Sequence, residues 1–221
     1  MPVAVVVDLS GSREMEIQRK VRLYGEIRKL LSESYHKFLG ECLVRPALTA
    51  GDSVEFLVGW WRPPTFFLHA LKVSFPDVEF RVGVGAGEVH VLGESADECD
   101  GPAFWRAREA LEDLKLVRGV GRESVIDLKV DPSADPSDVH LAGVISLTVG
   151  LLASMSKRKL IYCYHHAWSG KKMSDIAREL GVTRGNVSKV LRGTDCHLLA
   201  RLAAIGPAGR SQSSDRQASR R

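Results

Sequence analysis

Two groups of side chains in this chain have types and spacings that could do chemistry. The first lies between Met173 and Arg192, MSDIARELGVTRGNVSKVLR. Burying Ile176, Leu180, Val182, Val187, Val190 and Leu191 turns Arg184, Gly185, Asn186, Ser188, Lys189 and Arg192 outward. Arg, Asn and Ser reach base edges or phosphates in a major groove, and Lys neutralises phosphate. The second group is Asp8 with Asp52, and between them the run Ser10-Gly11-Ser12-Arg13. Two carboxylates brought together suit Mg²⁺, which takes one or two of them plus phosphate oxygens. A Ser-Gly-Ser turn at a helix start offers backbone N–H groups to a phosphate, and Arg13 adds a clamp. The other reading makes Asp8 and Asp52 turn and cap residues, which Asp favours. Spacing alone leaves both readings open.

The elements around the first group fit a helix-turn-helix over 173–192. Such a unit needs a small residue where its helices touch, and Ala177 supplies it. It needs a residue tolerant of positive φ in the turn, and Gly181 supplies that. Thr183 is a sound N-cap for the second helix. The competing reading is a helix pair that merely packs.

The elements around the second group read as an α+β domain over 1–130. Pro2 to Asp8 is an apolar run, hence a buried strand, and Leu9 to Arg13 a turn. Helical spacing follows from Glu14 to about Leu39, with Ile17, Val21, Tyr24, Ile27, Leu31, Tyr35 and Phe38 inward and Gly40 ending it. Leu43 to Thr49 and Ser53 to Trp60 read as strands around Ala50-Gly51-Asp52. Pro63-Pro64 opens a helix to about Phe75. Asp77 to Gly85 alternates as a strand, which Gly87 to Leu92 continues or pairs. Gly101-Pro102 opens a helix through Leu116, and Ser124 to Leu128 is a last strand. The order is that of a ferredoxin-like antiparallel sheet with helices on one face. The first-strand and hairpin aspartates would then project at the same end.

A Pro/Asp/Ser linker follows at 131–137, then a helical domain over 138–205. Its helices are expected at about 138–154, 157–168, 173–180, 184–192 and 195–204. Residues 206–221 are Gly, Ser, Gln and Arg with almost nothing apolar, and read as a disordered basic tail. Charge divides along the same line. Residues 1–154 hold 17 Lys/Arg against 23 Asp/Glu, and 155–221 hold 14 against 4. An acidic body with a basic end points to a polyanionic partner at that end.

Cys42, Cys99, Cys163 and Cys196 are scattered and form no C-x-x-C pair, so neither a disulfide framework nor a zinc pattern is expected, and His165, His166 and His197 read as packing or surface residues. Trp60 and Trp61 read as packing residues. No secretory signal is expected. The most apolar run, Leu141 to Met155, falls short of a membrane span. The expectation is a cytoplasmic protein without a membrane partner.

The segments Asp8-x-x-Gly11-Ser12-Arg13, Ala50-Gly51-Asp52-Ser53-Val54-Glu55-Phe56, Arg81-Val82-Gly83-Val84-Gly85-x-Gly87-Glu88 and Asp100-Gly101-Pro102-Ala103-Phe104-Trp105-x-Ala107-Arg108-Glu109-Ala110-Leu111 resemble the SatD family over nearly the whole chain except the tail. That resemblance implies a cyclase-like domain followed by a helix-turn-helix. The family's usual G-D-E-F stretch corresponds to Gly51 to Phe56. More distantly, the domain resembles the class III nucleotide cyclase fold, whose two metal-binding aspartates would match Asp8 and Asp52. Cyclases also place an Asn and, four residues later, an Arg on a helix. Those positions here are Trp105 and Glu109. An Arg on developing phosphoryl charge is worth about 10³-fold or more in rate, so a working cyclase is not expected. The expectation is a DNA-binding transcription regulator, a homodimer, whose first domain senses a nucleotide-like ligand with Mg²⁺ or mediates dimerisation. The alternative is a Mg-dependent nucleotide-processing enzyme.

Overall fold

The computed structural model describes residues 2–10, 15–49, 53–116, 125–192 and 194–207. The chain is α+β. Its main sheet has five strands in the order β2-β3-β1-β4-β7: β1 (Val3–Ser10), β2 (Ala47–Leu48), β3 (Ser53–Val58), β4 (Glu79–Ala86) and β7 (Ile126–Val130). β3 and β4 flank β1 antiparallel, but β7 joins β4 in parallel, so the sheet is mixed rather than the wholly antiparallel one expected: the helix over 102–116 crosses one face and returns the chain to the β4 edge in β4's own direction. A small ribbon pairs β5 (His90–Val91) with β6 (Cys99–Asp100).

β1 is central and covered on both faces, which explains its unbroken apolar run. Val3, Val5, Val7 and Leu9 point into one core with Leu23 and Ile27 of α1 (Ile17–Lys37) and Phe66, Phe67 and Leu71 of α2 (Arg62–Ser74). Ala4 and Val6 point the other way, against Ala103, Phe104, Ala107 and Leu111 of α3 (Pro102–Leu116). Helices therefore cover both faces, not the single face expected from element order. Two glycines permit this. A Cβ built on Gly83 would stand 1.9 Å from the Ala107 carbonyl oxygen, and one on Gly85 2.0 Å from that of Ala103. With Ala at 103 and 107, the α3 backbone lies directly on β4.

α1 also departs from its expected face. Leu23, Ile27, Leu30, Leu31 and Ser34 are buried, while Ile17 and Val21 are exposed. The helix starts at Ile17, and β1 runs through Ser10, which pairs with Glu79. The expected turn at Leu9-Ser10 is thus strand.

The second part of the chain is helical: α4 (Pro136–Ser154), α5 (Lys157–Trp168), α6 (Met173–Glu179), α7 (Arg184–Leu191) and α8 (Thr194–Ala203). Asp135 caps α4 by accepting from the Ser137 N–H at 2.8 Å, with Pro136 at the first position. These helices do not stand apart from the sheet. Leu141, Ile145, Val149 and Leu152 of α4, Leu160 and Trp168 of α5, and Leu199 of α8 belong to the same apolar core as β1. α4 is the one described helix long and apolar enough to cross a membrane, because it begins five residues before Leu141. Its buried face packs on β4, β7 and α2.

Polar contacts reinforce that joint. Buried His69 of α2 holds α5 at two points: its Nε2 lies 2.8 Å from the Leu160 carbonyl oxygen, and its Nδ1 accepts from Trp168 Nε1 at 2.9 Å. Buried Arg62 pairs with buried Glu41, with Nε 3.0 Å from Oε2, and donates through Nη1 to the Ala203 carbonyl at 2.9 Å. Thr65 and Thr148 hydroxyls meet at 2.9 Å between α2 and α4.

Candidate nucleic-acid interface

α6 and α7 are joined by a tight turn built as their sequence requires. Gly181 has φ of +63°, the left-handed region where a side chain is strained. The turn closes with the Val182 N–H donating to the Ala177 carbonyl at 2.9 Å. Thr183 is extended at ψ 150°, and its Oγ1 accepts from the Asn186 N–H at 3.2 Å, capping α7. Ile176, Ala177, Val187 and Leu191 are buried, and Leu180, Val182 and Val190 pack at the margin of the same cluster. All six expected anchors thus face the core.

The opposite side of α7 is open. Thr183, Arg184, Gly185, Lys189 and Arg192 are exposed, and Asn186 and Ser188 are half-buried. One contributor is absent from the sequence-based set: Arg158, in the first turn of α5, donates through Nη2 to Asn186 Oδ1. Its guanidinium also lies over the Tyr162 ring at 5.7 Å from the centroid. Arg158 thereby joins α7 in lining a shallow concavity with Thr183, Gly185, Asn186, Lys189 and Val190. The run Lys157-Arg158-Lys159 was visible as charge, but only the α5–α7 packing brings Arg158 to this face. Its neighbour Lys159 is instead tied to Asp195 of α8, an ion pair that holds the Lys159 ammonium above its ordinary range.

α5 packs behind α7, and α8 packs in turn on α5. Cys163 of α5 and Cys196 of α8 are buried free thiols, and the neighbouring Cys196 thiol together with burial pushes Cys163 well up. Among the described residues no group of three or more His, Cys, Asp or Glu is placed to hold a metal. Trp61 is buried and packs against Trp168 at 6.0 Å between centroids, while Trp60 donates to the Ile205 carbonyl at 3.4 Å.

The second group is only partly within the described structure. Asp52, Gly11, Ser12 and Arg13 lie outside the described residues. Asp8 is half-buried near the end of β1, opposite Ser53 on β3 and Arg81 on β4, and alternation puts it on the α3 face. Glu55 shares that face and is buried. Its Oε1 accepts from Arg108 Nη2 at 3.0 Å, and its Oε2 is buried without a partner. One of the two expected Mg²⁺ ligands is therefore placed, and the buried carboxylate two positions from it in register, Glu55, is already held by an arginine. α1 begins at Ile17 and Ser10 is the last residue of β1, so Ser10 does not sit at that helix start.

The two positions expected to correspond to the cyclase Asn and Arg, Trp105 and Glu109, are engaged locally. Trp105 is exposed and donates through Nε1 to Asp100 Oδ1 at 2.8 Å. Glu109 accepts from Arg106 at 2.8 Å and from Lys129 at 3.2 Å. The Arg106 contact first, then Lys129, holds the Glu109 carboxyl below the usual carboxylate range.

A mixed five-stranded sheet covered by helices, with a helical end docked on it, defines an α+β protein. The SatD family model matches residues 2–148, and the chain belongs to the SatD family. The match stops inside α4, so α5 to α8 lie beyond it. Among curated proteins none matches the sequence.

Proposed function

We propose that this SatD-family protein is a DNA-binding transcription regulator. In this reading α6 and α7 form a helix-turn-helix, and α7 enters the major groove. The carrying observation is that Val187 and Leu191 are buried while Arg184, Lys189 and Arg192 stand exposed on the opposite side of one capped helix. Arg158 extends that cationic face and orients Asn186, a type that pairs with adenine edges. Arg184, Lys189 and Arg192 neutralise phosphate, and Asn186 with Ser188 reads or positions.

The first domain acts as a ferredoxin-like, cyclase-derived sensor or dimerisation unit. The order β2-β3-β1-β4, with β1 antiparallel to both neighbours, supports that fold. Its ligand would be nucleotide-like, with Mg²⁺ on Asp8 and Asp52. Nucleotide-processing activity is not favoured, because Trp105 and Glu109 stand where a cyclase would place an amide for the ribose and a cation for the phosphate. The protein works as a homodimer in the cytoplasm, since helix-turn-helix proteins commonly read paired half-sites.

The test is selection of bound duplexes from a random pool by the full chain, repeated with ATP, GTP and their cyclic forms plus Mg²⁺. Enrichment of one sequence supports the reading. Recovery of no duplex above background at low salt refutes it. Release of pyrophosphate from either triphosphate, lost in Asp8→Ala, would favour the enzyme instead.

A further inference from the structure

We infer that the exposed face of α4 is a two-fold interface between two copies of this chain, the helices packing antiparallel about Leu147. This rests on the dimeric reading above and names its contact surface. α4 buries Leu141, Ala142, Ile145, Val149 and Leu152 against its own core. The opposite stripe runs His140, Gly143, Val144, Leu147, Gly150, Leu151 and Ser154 at three- and four-residue steps. Leu147 is 76 % exposed and Val144 37 %. Between Asp138 and Lys157 there is no Asp, Glu, Lys or Arg, and His140 is the one titratable side chain. A Cβ built on Gly143 or Gly150 meets nothing within 4 Å. Among the described residues, nothing in this chain covers those two glycines.

The occupant is a second copy because the stripe complements itself. Gly143 lies four residues before Leu147 and Gly150 three after. An antiparallel partner centred at Leu147 therefore sets Leu147 against its own copy at the axis, with Gly143 facing Leu151 and Gly150 facing Val144 of the other helix, and the reverse contacts are identical, as a two-fold requires. Charge agrees. Exposed Asp135 stands at the start of α4 and exposed Lys157 just beyond its end. The antiparallel arrangement sets the Asp135 end of each helix against the Lys157 end of the other. A parallel pair would juxtapose like charges. Hydrogen bonds from Ser137 hold the Asp135 carboxyl below its ordinary range, so it carries its charge at neutral pH. The helix is 19 residues long, about 28 Å at 1.5 Å per residue. One helix pair of that length buries less than the roughly 800 Å² per partner of a standard interface. The expected dimer is therefore of micromolar strength. α5 follows α4 after two residues, so the same axis fixes the spacing of the two Arg158–α7 faces.

The experiment is sedimentation equilibrium of the full chain from about 1 to 200 µM. The result expected is a monomer–dimer equilibrium for the wild type. Leu147→Glu should be monomeric throughout, and Gly143→Leu/Gly150→Leu should weaken association at least tenfold. Circular dichroism should match the wild type for both, as neither site touches the core. A wild type that is monomeric at 200 µM overturns the dimeric reading itself. A dimer that survives both variants overturns only the α4 interface and leaves that reading standing. A monomer that co-sediments with phosphatidylcholine vesicles, and ceases to in Leu147→Glu, makes the stripe a membrane contact and overturns the inference. Binding of duplex by monomeric Leu147→Glu, weakened at paired half-sites but retained at one, supports it. Failure of every form to bind DNA leaves the interface intact and refutes the regulator.

Discussion

Acid should loosen the joint between α2 and α5, and His69 sets how much. A carbonyl oxygen only accepts and an indole N–H only donates. The contacts at 2.8 Å to Leu160 and 2.9 Å from Trp168 therefore fix neutral His69 with its proton on Nε2. A second proton would have to enter at Nδ1, against the Trp168 N–H, in a buried site. Burial first, opposed by the Leu160 contact and aided by nearby His165, pulls the His69 pKa from 6.5 down to about 4. The unfolded chain binds this proton near pH 6.5 and the folded chain only near 4. Stability from His69 is thus complete above pH 6.5 and falls as pH drops toward 4. The full loss is about 3 kcal/mol, at about 1.4 kcal/mol per unit, and about 2 kcal/mol is gone by pH 5. The assay is urea unfolding of wild type and His69→Gln at pH 7.5 and 5.0. Glutamine keeps a donor and an acceptor but does not titrate. His69→Gln should be less stable at pH 7.5, yet lose about 2 kcal/mol less than wild type on acidification. Parallel losses in the two proteins would refute the reasoning.

Three further outcomes follow from the packing. Arg62→Ala leaves Glu41 buried without its cation and frees the Ala203 carbonyl; it should cost about 3–5 kcal/mol in denaturant unfolding. Gly83→Ala drives a methyl into the Ala107 carbonyl, so α3 must lift from β4; the expected cost is about 3 kcal/mol or more, read as a lower thermal midpoint. Thr183→Ala removes the cap of α7 and should cost about 1 kcal/mol of stability. It should also weaken duplex binding through the frayed first turn, measured by fluorescence anisotropy.

The helical end was the most legible part of the sequence. α5 matches its expected bounds, α6 and α7 differ by one residue at one end and α8 by one at each end, because Ser156, Gly181 and Thr183 are local signals that act on adjacent backbone. What was hidden depends on contacts between distant segments. Element order does not say which face of the sheet α3 takes; the small residues Gly83, Gly85, Ala103 and Ala107 were the available signal. Ile17 and Val21 fit an apolar period, yet α1 reaches the core only from Leu23 onward. The pairing of His90–Val91 with Cys99–Asp100 joins two-residue strands too short to show alternation. The linker at 131–137 suggested separate cores, whereas α4 carries its apolar face straight onto the sheet. Nothing in sequence spacing joins His69 to Leu160 and Trp168, or Arg158 to Asn186. Of the two candidate sites, the α7 face was readable because one short helix presents it. The Asp8 face draws on separate strands, and Glu55 entered it only through register.

The central claim meets its most direct test in the salt dependence of affinity for a selected duplex, wild type against Arg184→Ala/Lys189→Ala/Arg192→Ala. Each phosphate contact contributes about 0.9 to the slope of log affinity against log salt. The account predicts a steep wild-type slope that the triple variant lowers by roughly 2 to 3, with affinity reduced at least tenfold at 100 mM salt. Equal affinity and equal slope in the two proteins would contradict it.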